Sequence, residues 1–173
     1  MTTPDRSPPS RALRSPRVVL AGLGSPYRRD DAAGQLVAER VAKLKPAAID
    51  IGPVPDPLDL LGRWDGADLA VIIDAVRSGR APGTVSTLEL EPAEPTSTAR
   101  LGATGAHGAA STHGIGLAGV LRLARAVGAA PRRVVVVGIE GEDFAQGVGL
   151  SPAVATALPG AVDIVVGLVE AQP

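Results

Sequence analysis

The chain has 173 residues, no cysteine, a formal net charge of −1 and only 2% aromatic residues. That length suits one domain around a single core. The missing cysteines exclude disulfides, thiolate metal sites and cysteine nucleophiles, and the balanced charge and scarce aromatics exclude a basic or stacking surface for nucleic acid.

The first sixteen residues, MTTPDRSPPSRALRSP, are rich in Pro, Ser and Arg and carry no apolar run. They read as a disordered extension, residues 1–16, ahead of a single domain at 17–173. A secretory signal needs an apolar run of at least about seven residues, and none is seen here. No stretch approaches the length of a membrane span, so a cytoplasmic protein with no membrane partner is expected.

Arg17 to Gly22 (RVVLAG) is a short apolar, β-branched run, and so a buried strand. Asp30 can cap a helix to about Leu44, with Ala33, Val37, Val41 and Leu44 on one face. Ala48 to Ile51 suits a second strand, and Asp56 to Trp64 a short helix with Asp56 as cap and Pro57 at its first position. Leu69 to Ile73 (LAVII) is a buried strand ending at Asp74, and Thr84 to Leu90 alternates as a half-buried strand does. Glu91 to Thr112 is a long loop, of the kind that is functional or mobile in compact domains. His113 to Val127 is an amphipathic helix, Arg133 to Ile139 another buried strand, and Ser151-Pro152 starts a last helix to about Glu170, with a kink or break at Pro159-Gly160.

Strands apolar on both faces, alternating with amphipathic helices, predict a three-layer α/β/α fold with a mixed, mostly parallel central sheet of about five strands. In such sheets functional groups gather at the carboxyl ends of strands. Three candidates fall there: Asp31 after the first strand, Asp74 at the end of LAVII, and His113 at the start of a helix. Each has a structural alternative. Asp30 and Asp31 could be first-turn acids stabilised by the helix dipole, the reading preferred for Asp30. Asp74 could form a turn, and His113 could be a helix-terminal histidine without a partner. A helix N-terminus keeps imidazole neutral, as a metal requires. With only His107 and His113 available, a metal site here needs carboxylates, which suits zinc, nickel, cobalt or iron. His107 could be a spare ligand but reads rather as a solvated loop histidine. Arg28 and Arg29 could contact an acidic substrate tail, but more often such residues form weak surface ion pairs, and Glu140 and Glu142 could line the cleft without binding metal.

The segment GLGSPYRRDDAAG begins with GxG but lacks the third glycine of a dinucleotide fingerprint, and no GK[ST] or GxSxG occurs. A nucleotide cofactor and a serine-hydrolase elbow are not expected.

These segments resemble a known family. GLGSPYRRDDAAG is similar to the GxGNxxxxDDGxG opening of hydrogenase maturation proteases, and VIIDAVRSGRAPGT to their strand-end DA motif with a following PGT. STHGIGLAGVLRLA resembles their SxHxxGLxxxLxLA segment, and VVVVGIEGEDFAQGVGLSPAVATALP their VGIEP…GxGLSPxVxxALP close. The four blocks keep the family's order from Val18 to Val169. The resemblance implies an endopeptidase that trims the C-terminal extension of a nickel–iron hydrogenase large-subunit precursor after nickel insertion. It implies Asp31, Asp74 and His113 as both the catalytic residues and the metal ligands, with nickel supplied by the substrate and none permanently bound. A monomer whose partner is that precursor is expected. Ser25 stands where the family has Asn and Ala32 where it has Gly, which implies a modified substrate loop with the site retained. Two rival readings differ in kind: a metal-independent carboxylate pair activating water, and a non-catalytic nickel chaperone or scaffold of the same fold in hydrogenase assembly.

Overall fold

The computed structural model describes residues 16–44, 49–54, 56–90 and 117–172. The proposed extension up to residue 15, the 91–112 loop, His107 and His113 lie outside the described residues. Aliphatic runs buried on both faces become the central strands, because only a sheet covered on both sides removes every side chain of such a run from water. They are β1 (Val18–Gly22), β3 (Leu69–Val76) and β5 (Arg133–Glu140), flanked in the sheet by β2 (Ile49–Pro53) and by the half-buried β4 (Val85–Leu90). Among the described residues these form one five-stranded sheet of order β2-β1-β3-β5-β4. β1 runs parallel to β2 and β3, β3 parallel to β5, and β4 antiparallel to β5. The expected mixed, mostly parallel sheet is present.

The strand alternation sorts the core into two layers. Val18, Leu20, Val71, Ile73, Val135 and Val137 face one layer of helices, α1 (Ala33–Leu44) and α4 (Pro152–Glu170). Val19, Ala21, Ala70, Ile72, Val134 and Val136 face the other, α2 (Leu60–Trp64) and α3 (Leu117–Ala126). The chain leaves β1 toward β2 on one side and returns to β3 on the other. The β1–β3 pair is therefore the point where strand order reverses, which opens a crevice at the carboxyl ends of these two strands.

Local signals explain most boundaries. Asp56 accepts a hydrogen bond from Leu58 N at 2.9 Å and Pro57 opens the short turn before α2, as its sequence predicts. Three expectations need correction. β3 does not end at Asp74 but continues to Val76, because its pairing with β5 runs through Asp74↔Gly138 to Val76↔Glu140. α4 is unbroken from Pro152 to Glu170 despite Pro159, since Pro159 and Gly160 sit on the exposed side, where water can satisfy the carbonyl that loses its donor. Read through, α4 is also long and apolar enough, by length and composition alone, to cross a membrane, where the sequence had suggested no such stretch. In this fold Val154, Leu158, Ala161, Val162 and Val165 bury one of its faces in the core shared with α1 and β5. Each Val or Leu so buried contributes about 1.5–3 kcal/mol over exposure, which fixes α4 to the sheet.

Candidate active site at the strand-order reversal

The loop leaving β1 folds back on itself because glycine permits it. Gly24 has φ 105°, and a side chain there would run into the carbonyl oxygen of Asp31. Gly34, in the first turn of α1, has only 2.6 Å between its would-be Cβ and the Leu23 carbonyl oxygen. These close approaches bring the start of α1 against the ends of β1 and β3, where Leu23 N donates to Ile73 O at 2.8 Å. A short 3-10 turn, Arg29–Ala32, carries Asp30 and Asp31, both buried. The Ser25 amide donates to Asp31 Oδ2 at 3.0 Å, while the Ser25 hydroxyl accepts from Tyr27 N at 3.3 Å. Ser25 thus touches the acid through its backbone, and its hydroxyl shapes the loop, as expected of a small polar side chain there.

Asp74 is the β3 residue immediately past the end of β1, whose last pairing is Gly22↔Ile73. Its strand parity is that of Ala70 and Ile72, the face covered by α2 and α3. Oδ1 of Asp74 is buried with no hydrogen-bond partner among the described residues. Burial, and then the negative charge of Asp31, push the Asp74 carboxyl up to about 8, against a hydrogen bond from the Ala75 amide. Two buried carboxylates thus act on each other near the carboxyl ends of β1 and β3. His113, the third sequence candidate, is outside the described residues. α3 begins at Leu117, four residues beyond it, on the sheet face to which Asp74's parity belongs. Among the described residues no three His, Cys, Asp or Glu side chains form a complete metal-ligand group.

Asp30 has a role that its sequence context hides. Instead of serving its own helix, it accepts hydrogen bonds from Glu142 N and Asp143 N at 2.9 Å each, and from Ser151 N at 2.6 Å. Burial raises its pKa, but these backbone donors outweigh that and hold the carboxyl below its ordinary range. Asp30 therefore ties the β1–α1 loop to the β5–α4 loop and to the start of α4. Ser151 occupies the N-cap position of α4, yet its hydroxyl makes no capping bond, contrary to expectation. The donors to Asp30 lie 112 to 121 residues away, so no local pattern could have indicated them.

Glu140 also differs from the cleft-lining role expected of it. Its carboxylate accepts from Ser78 N at 2.7 Å, Ser78 Oγ at 2.6 Å and Gly79 N at 2.9 Å, and so holds the turn after β3. Arg29 pairs with Asp143 at 3.2 Å, as a surface ion pair does.

A doubly wound α/β domain with two buried carboxylates at its strand-order reversal defines a class of site suited to hydrolysis or to holding a cation. The family model of hydrogenase maturation protease matches residues 37–168. Hydrogenase 2 maturation protease of Escherichia coli (strain K12) is 29% identical over 143 residues, covering 80% of this chain and 81% of that protein. The E. coli hydrogenase maturating endopeptidase HybD has a similar structure, with a TM-score of 0.73 and 26% identity over 89% of this chain and 92% of that one. A [NiFe] hydrogenase maturation protease from Thermococcus kodakarensis has a TM-score of 0.65 and 26% identity, over 88% of this chain and 99% of its own. The chain belongs to the hydrogenase maturation protease family, and is an endopeptidase of that family.

Proposed function

We propose that this enzyme removes the C-terminal extension of a nickel–iron hydrogenase large-subunit precursor in the cytoplasm, after nickel insertion, and that it reads the nickel carried by that substrate through Asp31, Asp74 and His113. The observation that carries this reading is the meeting of Asp31 and Asp74 in the crevice beside β1 and β3. Two mutually repelling carboxylates with a buried Asp74 oxygen that has no partner among the described residues fit a divalent cation, which would relieve both the repulsion and the unsatisfied acceptor. Hard oxygen donors with one imidazole suit nickel, and with no cysteine in the chain any thiolates around the ion come from the substrate.

The protein's own residues have definable tasks. The Ser25 amide orients Asp31, the Ala75 amide steadies Asp74, and Asp30 fixes the loop that carries Asp31. Asp74 can hold or yield a proton near neutral pH, which lets the crevice adjust its charge when the substrate enters. A nickel ion bound there would polarise a nearby carbonyl or water. Docking the ion would also set the scissile bond at a fixed place, so that unfilled precursors are passed over.

A second reading has a specific support. A carboxylate pair in which one member keeps its proton at neutral pH can activate water without metal, and the raised Asp74 beside Asp31 has that form. Incubation with a nickel-loaded large-subunit precursor, followed by mass spectrometry of the subunit, tests the proposed activity. Wild-type protein truncates the C-terminus, and Asp31→Asn, Asp74→Asn and His113→Ala each lower the rate by at least about a hundredfold. Normal cleavage by all three variants overturns the site.

A further inference from the structure

At the mouth of the crevice the β1–α1 and β5–α4 loops join in a two-stranded backbone contact. Arg28 and Gly147 form an isolated parallel bridge, with Gly147 N donating to Tyr27 O at 2.9 Å and Arg29 N donating to Gly147 O at 3.0 Å. Arg29 adopts φ 47°, the sole positive φ of a non-glycine residue among the described ones, so the contact is held against local backbone preference. The Asp30 carboxylate clamps it from beneath through Glu142 N, Asp143 N and Ser151 N.

This rigid contact carries two side chains that a protein core would normally claim. Val148 is 80% exposed and Tyr27 71% exposed, the two highest values among the large apolar residues described. They leave the backbone one residue to either side of the bridge, on opposite strands. Tyr27 also follows by two residues the serine whose amide holds Asp31. In the same β5–α4 loop Phe144 gathers two cations: Arg28 Nη2 donates to its carbonyl oxygen at 3.4 Å, and the Arg77 guanidinium lies 4.8 Å from the centre of its ring. Exposed apolar groups brought to either side of one clamped backbone contact are a feature of interaction sites. Pre-ordering lowers the entropy lost when a partner covers them.

We infer that Tyr27 and Val148 form a docking lip for the polypeptide of the large-subunit precursor, with Arg28 and Arg77 receiving a carboxylate of the same substrate. The inference rests on the proposed function. It commits to the substrate as occupant because the lip is continuous with the loop that presents Asp31: a chain held there is already at the crevice. The lip therefore governs substrate affinity, and the crevice governs turnover.

Steady-state cleavage of a nickel-loaded precursor that the wild-type protein processes provides the test. Tyr27→Ala and Val148→Asp are each compared with Val127→Asp, whose side chain is similarly open at 64% exposure but lies just past the end of α3. The lip variants raise KM by about tenfold at unchanged kcat, as loss of an apolar interface contact does, while Val127→Asp leaves both unchanged. Thermal unfolding midpoints stay with wild type. Arg77→Glu raises KM in the same sense, and Arg77→Lys restores part of it. Unchanged KM in the lip variants overturns the inference while the proposed function stands. A wild-type dimer that Val148→Asp converts to monomer, seen by light scattering, overturns it in favour of a second copy as the occupant. Wild-type protein that cleaves no precursor overturns both.

Discussion

Asp30 and Asp31 are chemically identical neighbours with opposite tasks, and their surroundings alone separate them. Asp30 is saturated with backbone donors and held ionised. Asp31 faces Asp74 across the crevice and raises its pKa. Replacing Asp30 by Ala removes the acceptor of three part-buried N–H groups, each bond worth about 1 kcal/mol, so the urea midpoint falls by an amount equivalent to about 3 kcal/mol. A midpoint equal to wild type contradicts the clamp. The sequence made Asp31 and Asp74 candidates because each follows an aliphatic run and the family blocks coincide with them, although β3 itself runs on past Asp74. It concealed Asp30, whose partners come from the opposite end of the chain. It also concealed the division of labour at Ser25 between amide and hydroxyl, since only the folded loop shows which atom faces the acid.

At the scale of elements, aliphatic composition determines the strands and glycine determines how closely they meet the helices. The five strands and their flanking helices could be read in order, because apolar runs and capping residues are local signals. The misjudged ends share a cause, namely that tertiary pairing extends what sequence appears to stop. β3 passes Asp74 because β5 continues beside it, and α4 passes Pro159 because its opposite face is buried. Glu140 belongs to this scale as well, since it fastens the turn after β3 to the end of β5. Burial raises its pKa, and the bonds from Ser78, Gly79 and Arg80 overcome that and lower it below its usual 4.5. With the folded pKa depressed, the unfolded chain binds the proton more readily. This contribution is complete above about 4.5 and is lost as pH falls through the lower folded value. Glu140→Gln should therefore flatten the acid limb of stability measured by urea unfolding between about pH 5 and 3. An acid limb as steep as that of wild type contradicts the assignment.

For the whole molecule, the order β2-β1-β3-β5-β4 decides where chemistry can occur. Reversal of strand order opens the sheet between β1 and β3, and the loops gathered there supply the acids, the clamp and the lip. Strength and function are divided accordingly. The two aliphatic layers hold the fold, and the carboxyl edge holds charges that the core would reject. The central claim is that the enzyme reads nickel on its substrate with the carboxylates at that edge. The most direct measurement compares nickel-loaded and nickel-free forms of one large-subunit precursor, each incubated with the wild-type enzyme and followed by intact-mass spectrometry. The account predicts loss of the C-terminal extension from the nickel-loaded form alone. Equal truncation of the nickel-free form would contradict it and leave the metal-independent carboxylate pair as the mechanism.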